Sequence, residues 1–236
     1  MDKFMNNFES VWRFFLDLVF PADKETALIE GLGVEKFMEL ARKSTHCCRF
    51  EKKFIFSSTE IDIYFLYSYR NKIVKDLIWQ LKYRNSRRLA RFVAEVLMQE
   101  MYECFEQFKK DLSSELPILI PIPLSKKRLA ERGYNHVGLL AKELIDVRKR
   151  NGQQFFELDD TSLKKTRHTP TQASIRNKQQ RLKNLENCFT VGKEKIIGRN
   201  VILIDDVVTT GTTLREAAKT LKQAGAGKII CIVLAH

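Results

Sequence analysis

Several signatures that would assign a function at once are missing from this chain of 236 residues. There is no GxGxxG and no GxxxxGK[ST], so dinucleotide and P-loop readings lack support, and Gly31-Leu-Gly33 alone reads as a turn. No apolar run approaches the ~18 residues of a membrane span. The opening Met1-Asp-Lys, with acids at Glu9 and Asp17, is unlike a secretory signal. Internal repeats and low-complexity tracts are absent. Five cysteines form no CxxC pair and leave an odd one over. Cys231 falls in an apolar strand pattern and Cys104 in an amphipathic helix, which predicts packed, reduced thiols and a soluble, cytoplasmic protein. Adjacent Cys47 and Cys48, after His46, rarely aim both sulfurs at one tetrahedral ion, so a structural role is expected there.

Charge is the outlying quantity. Lys plus Arg number 41 against 29 Asp plus Glu, a net +12 that attracts nucleic acid, nucleotides or pyrophosphates. The basic residues are spread widely, so composition names an anionic partner without saying which, and part of the charge is simply solvated surface.

Hydrophobic periodicity organises the rest. Phe4, Phe8, Val11, Trp12, Phe15, Leu18 and Val19 share one helical face, ended by Pro21. A second helical pattern runs over 34–43, a strand over 61–69, and helices over 71–83, where Trp79 and Leu81 read as packing, and over 87–108. Short aliphatic strands at 117–120 and 200–204, a minor one near 154–158, helices near 136–149 and 213–224, and a last strand at 228–234 follow. Helices alternating with continuous aliphatic strands predict an α/β fold with a parallel sheet covered on both faces. Ligands of such sheets sit at the carboxyl ends of strands, where both Asp205-Asp206 and Pro121-Ile-Pro123 fall.

Val201-Ile-Leu-Ile-Asp205-Asp206-Val-Val-Thr209-Thr210-Gly211-Thr212-Thr213 is the most informative stretch. Gly211 lets the backbone curl so that successive N–H groups face inward, and the positive end of the following helix points the same way. Threonine hydroxyls donate to phosphate oxygens, whereas ionised carboxylates only accept and suit ribose hydroxyls. A sugar phosphate is therefore the expected ligand. The plainer alternative is an ordinary strand-to-helix connection with Thr209 or Thr212 as N-cap.

Two further segments bear on that ligand. Ser125 and Lys126 follow Pro121-Ile-Pro123, where a pyrophosphate needs donors, although a basic helix start on the surface reads equally well. Between Asp160 and Glu186 lie Lys164, Lys165, Arg167, Arg176, Lys178, Arg181 and Lys183 with no acid. That segment is too polar for a core, so it is a mobile loop closing over an anion, a basic surface for single-stranded nucleic acid, or plain solvated loop. Its lack of aromatics weakens a stacking platform.

The string from Val201 to Thr213 resembles the 5-phosphoribosyl 1-pyrophosphate (PRPP) signature of type I phosphoribosyltransferases. Add Lys82-Tyr83 ending a helix, Pro121-Ile-Pro-Leu, Arg132-Gly-Tyr-Asn135, and Thr169-Pro-Thr-Gln172 followed by Arg181 and Asn184, and residues 60–236 resemble the ComF family, associated with DNA uptake in naturally competent bacteria. The resemblance implies a type I phosphoribosyltransferase fold over 59–236 and Mg²⁺-dependent PRPP binding. By that resemblance Asp205 and Asp206 hold the ribose hydroxyls, Thr209, Thr210, Gly211, Thr212 and Thr213 the 5′-phosphate, Ser125 and Lys126 the pyrophosphate, and Arg167, Gln172 and Arg181 belong to a mobile loop. Many members carry an N-terminal zinc ribbon. Here Ala22-Asp-Lys-Glu25 stands where its first CxxC would be, so no zinc is expected and residues 1–58 are predicted to be a helical substitute. Thr209 occupies the place of the aspartate base of many purine-salvage enzymes and cannot deprotonate a nucleobase near neutral pH, so that reaction is not expected. Turnover itself is left open. The alternative is a single-stranded-DNA-binding accessory protein with a regulatory or vestigial PRPP site, partnered with uptake machinery.

Overall fold

Aliphatic runs at Val201–Ile204 and Ile229–Leu234 form the middle of a six-stranded sheet in the computed structural model, which describes residues 22–42, 53–56, 59–111, 116–152, 154–166, 188–192 and 194–236. In chain order the elements are α1 (Ala22–Arg42), β1 (Lys53–Phe56), β2 (Thr59–Tyr67), α2 (Lys72–Tyr83), α3 (Arg87–Asp111), β3 (Ile118–Pro121), α4 (Lys126–Arg132), α5 (His136–Arg150), β4 (Glu157–Leu158), β5 (Leu163–Lys165), β6 (Phe189–Val191), β7 (Val201–Val207), α6 (Thr212–Gln223) and β8 (Ile229–Ala235). The sheet order is β1-β2-β8-β7-β3-β4, parallel from β2 to β4 with β1 antiparallel at the edge. Ile118 sits opposite Val201, and Val201 opposite Ile229.

Strand alternation splits the core into two layers. Leu119, Ile202, Ile204, Ile230 and Ile232 face the layer of α2, α3 and α5, with Leu77, Leu89, Leu97, Leu140 and Leu144. Ile118, Ile120, Val201, Leu203, Cys231 and Val233 face α6 through Leu214, Ala217, Ala218 and Leu221. The half of α1 after Gly33 (φ 73°, a break in the helix) joins the first layer through Phe37, Met38 and Ala41, and Phe37 sets its ring edge against Phe92 at 5.5 Å. Buried Glu143 of α5 receives Arg87 and Arg91 from α3, tying those two helices together.

This topology creates a crevice. From β3 the chain runs outward to β4, whereas from β7 it runs the other way to β8. The connections leave adjacent strands in opposite directions, and the space beyond their carboxyl ends is a topological switch point. The turns after β3 and β7 both open there.

Most expected elements are present with shifted ends. The strand expected over 200–204 continues to Val207, and that over 61–69 stops at Tyr67, where Tyr69 N–H bonds the carbonyl of His236 instead. The segment from 160 onward differs from the expected loop at its start. Leu163–Lys165 pairs antiparallel with Phe189–Val191 because Leu163 and Phe189 are buried against the α6 layer. The helix expected over 4–20, residues 46–48, and Arg167, Gln172 and Arg181 lie outside the described residues. Cys188 and Cys231 are buried thiols, and burial pushes the Cys231 thiol up. No described helix is long and apolar enough to cross a membrane.

Candidate functional site

β7 delivers Asp205 and Asp206 to the crevice, and the chain then turns through Thr209 and Thr210 into α6. Gly211 caps that helix at φ 69°, left-handed backbone that a side chain would strain, and supplies no capping side chain. Glycine in place of a side-chain cap costs only about a few tenths of a kcal/mol. Burial of Leu214 and Leu221, about 2 kcal/mol each, more than offsets it and holds the bare helix N-terminus over the crevice. The first-turn N–H groups are thus presented with the positive end of the helix behind them. Thr209 is exposed and Thr213 half-buried on the wall, while the hydroxyls of Thr210 and buried Thr212 bond each other at 2.9 Å.

The crevice is a cavity of about 400 Å³ walled by Asp205, Asp206, Thr209, Gly211 and Thr213 from β7–α6, Ser125, Arg128 and Arg132 from the turn after β3 and α4, Lys82, Tyr83 and Trp79 from α2, and Lys165 from β5. Four cations therefore face two carboxylates, a balance suited to an anion that also carries hydroxyls. Burial lowers the pKa of Arg128, with the neighbouring Arg132 charge adding to it, and burial likewise lowers Lys165.

The two carboxylates differ in state. Asp206 is buried; its Oδ2 accepts Lys82 Nζ at 2.7 Å and His136 Nε2 at 3.0 Å, and its Oδ1 accepts the Val207 N–H at 2.7 Å. Burial alone would push this carboxyl up, but the Lys82 charge and the His136 hydrogen bond outweigh it and hold it far below the ordinary range. Among the described residues, Asp205 accepts only the Asp206 N–H, at 2.9 Å. Burial, then the charge of Asp206, pushes its carboxyl up to about 7. Adjacent residues of a strand point to opposite faces, which gives neighbours such different partners.

His136 itself is neutral. Burial lowers its pKa, against the opposing pull of Asp206. Arg132 Nη1 lies 3.3 Å from Nδ1, and a guanidinium only donates, so Nδ1 accepts and Nε2 carries the proton given to Asp206.

Among the residues expected from sequence, Asp205, Asp206, Thr209, Gly211, Thr213 and Ser125 line one cavity, and Thr210 and Thr212 stand beside it. Ser125 is buried and caps α4 by accepting the Arg128 N–H, whereas exposed Lys126 is not on the wall; Arg128 and Arg132 reach it instead. Lys165 and Phe189, whose ring lies 5.4 Å from Lys165 Nζ, form the roots of the basic segment, so that segment departs from the cavity's edge. Sequence reasoning missed Lys82, Arg128, His136 and Lys165 as wall residues. It also took Trp79 as packing: Leu81 is packed, but Trp79 faces the cavity. A signal for this existed, since residues two apart on a helix lie on nearly opposite faces.

A model of the phosphoribosyl transferase domain matches residues 129–236, from within α4 to β8. Competence protein F of Haemophilus influenzae is 34% identical over 159 residues, covering 65% of this chain and 63% of that protein. Competence protein ComFC of Bacillus subtilis is 32% identical over 161 residues, 68% of this chain and 58% of that protein. DNA utilization protein YhgH of Escherichia coli O157:H7 is 30% identical over 154 residues, 65% and 63% respectively. The chain thus spans somewhat less than two thirds of the length of these relatives. With the domain match lying on the cavity's β7–α6 wall and these relatives extending the likeness beyond it, the chain belongs to the ComF family of phosphoribosyltransferase-domain proteins.

Proposed function

We propose that this chain binds PRPP at the β3–β7 crevice, with Mg²⁺, as a phosphoribosyltransferase-type protein. The observation that carries the reading is the juxtaposition of Asp205 with the uncapped N-terminus of α6 in a cavity whose walls are net cationic. The 5′-phosphate would take the N–H groups and hydroxyls of the Thr209–Thr213 turn. A ribose hydroxyl would donate to Asp205, and the pyrophosphate would face Arg128, Arg132 and Lys165. Asp206 would keep the ribose end in place chiefly by fixing Lys82 and His136.

The donor set suits a hard ion carried largely by its ligand. No cluster of three metal-binding side chains exists among the described residues, and Mg²⁺ is held by one or two carboxylates plus phosphate oxygens. Asp205 is the carboxylate available to it, and the ion would neutralise the departing pyrophosphate. Should transfer occur, the chain's own contribution is positioning and leaving-group electrostatics.

Calorimetric titration with PRPP, with and without Mg²⁺, tests this. Micromolar, Mg²⁺-dependent affinity that disappears in Asp205→Asn is expected; wild-type protein that releases no heat with PRPP sinks the reading.

A second role is motivated by the net +12 charge and by the relatives named for competence and DNA utilization: handling of single-stranded DNA during uptake, by the same chain or in place of turnover. Affinity for an oligonucleotide should then fall steeply between low and moderate salt. Absence of any gel shift at low salt would end it. Zinc is proposed to play no part, and stoichiometric metal in the purified protein would overturn that.

A further inference from the structure

We infer that Tyr134 is a positioning residue for the crevice: its hydroxyl closes the end of α2 from outside the helix and thereby holds Lys82 on Asp206. What this does for a bound ligand rests on the function proposed above. The latch itself rests on contacts within the chain.

A helix leaves its last four carbonyls without partners of its own. In α2 the C-cap, Arg84, gives its N–H to the Gln80 carbonyl. Asn85 follows at φ 47°, the one non-glycine in left-handed backbone among the described residues. That conformation ordinarily ends a helix by folding this N–H back on the carbonyl four residues earlier, here Leu81. In this protein the Tyr134 hydroxyl takes the place of that bond. It accepts the Asn85 N–H and donates to the Leu81 carbonyl, both at 2.8 Å. A hydroxyl has one proton to give and lone pairs to receive, so one oxygen satisfies both backbone groups. The last turn of α2 is therefore shaped by a residue about 50 positions away along the chain rather than by its own closure.

The place of the latch decides what it holds. Leu81 is buried, and the next residue, Lys82, reaches Asp206 Oδ2 at 2.7 Å. Two residues after Tyr134, His136 gives its Nε2 proton to the same oxygen at 3.0 Å. Two residues before it, Arg132 lies over the Tyr83 ring at 5.3 Å. The end of α2 and the turn over 132–136 thus meet at the ring, at the hydroxyl and at Asp206. The two donors of that carboxylate come from separate helices, and the hydroxyl sets the spacing between them. A lysine on its flexible four-carbon stem does not fix where its own helix ends. Once the hydroxyl is removed, the Asn85 N–H can close directly on Leu81, and the reshaped turn draws Lys82 off Asp206.

Tyr134→Phe in the full chain keeps the ring and removes the hydroxyl. Without ligand, lysines are labelled by limiting acetic anhydride, and Lys82 is compared by peptide mass spectrometry with exposed Lys219 on the distant α6. Lys82 should label roughly fivefold faster in the variant, the equivalent of one net hydrogen bond, with Lys219 unchanged. PRPP affinity, read by calorimetry, should fall by a similar factor. Tyr134→Phe combined with Lys82→Met should bind no more weakly than Lys82→Met alone, because the hydroxyl acts through Lys82. An unchanged Lys82 rate would overturn the latch. So would an equal rise at Lys219, which marks loosening of the whole fold, and so would additive losses of affinity, which mean that Tyr134 acts by another route. Selective labelling of Lys82 in the variant of a protein whose wild type takes no PRPP would uphold the latch and sink the phosphoribosyl reading.

Discussion

Replacing Asp205 by Asn is expected to stabilise the protein while removing its grip on a ribose. The Asp205 carboxyl is raised from 3.8 to about 7, first by burial and then by the charge of Asp206. An acid whose folded pKa exceeds its unfolded one binds more protons folded than unfolded between those values, so stability falls as pH rises from about 4 to about 7. The cost is full above pH 7 and absent below about pH 4. Converted directly, the gap is about 4 kcal/mol. Asparagine still buries a polar amide, and water reaches the half-buried side chain, so the recoverable part is about 2 kcal/mol. For a chain of this length that is a rise of about 4–8 °C in Tm at pH 8, shrinking to under about 2 °C at pH 4.5. Thermal melts of wild type and D205N across that range, with PRPP calorimetry on the same samples, supply the assay. A variant that melts at or below the wild type at pH 8, or whose gain is the same at both pH values, would refute the burial account.

The neighbouring residues yield expectations of other signs. Lys82→Met strips the counter-charge from buried Asp206 and should destabilise by about 2 kcal/mol at pH 8, less than for a wholly buried pair because His136 and the Val207 N–H remain. The urea midpoint at pH 8 checks this. PRPP affinity should weaken as pH falls through about 7, since a ribose hydroxyl needs the ionised Asp205 as acceptor, and a flat calorimetric profile from pH 6 to 8 contradicts that role. Gly227→Ala would set a Cβ 2.7 Å from Asn200 Oδ1, which accepts the Lys228 N–H, so the β7–β8 connection must shift at a cost of about 2 kcal/mol in urea unfolding. Gly211→Ala meets only ordinary contacts at 3.8 Å and should lose about 1 kcal/mol through its φ of 69° alone, again read from the urea midpoint.

The sheet and the turn after β7 were legible because continuous aliphatic runs bounded by Pro, Gly and carboxylates have few other readings. Ile202 and Ile204 against Val201 and Leu203 already imply a strand buried on both faces. Strand ends were less legible: Asp205, Asp206 and Val207 remain in β7 because they still pair alongside β8, and polarity alone suggested a stop at Ile204. Short Leu163–Lys165 was hidden by its lysines, since one buried leucine and a partner strand beyond the basic segment decide it.

Legibility failed where two distant segments meet. His136 opens a helix 70 residues before Asp206, and nothing local marks it as that carboxylate's donor. Lys82 was visible only as a family feature, with no role attached. The consequence is that a sequence reading treats Asp205 and Asp206 as an equal pair, whereas the fold separates them. One is neutralised by Lys82 and a neutral histidine and anchors the crevice from below. The other has, among the described residues, one backbone N–H as donor and a raised pKa. A carboxylate so placed destabilises the empty site and gains most from a hydroxyl-bearing ligand, and that asymmetry makes Asp205, not the pair, the residue on which ribose recognition turns.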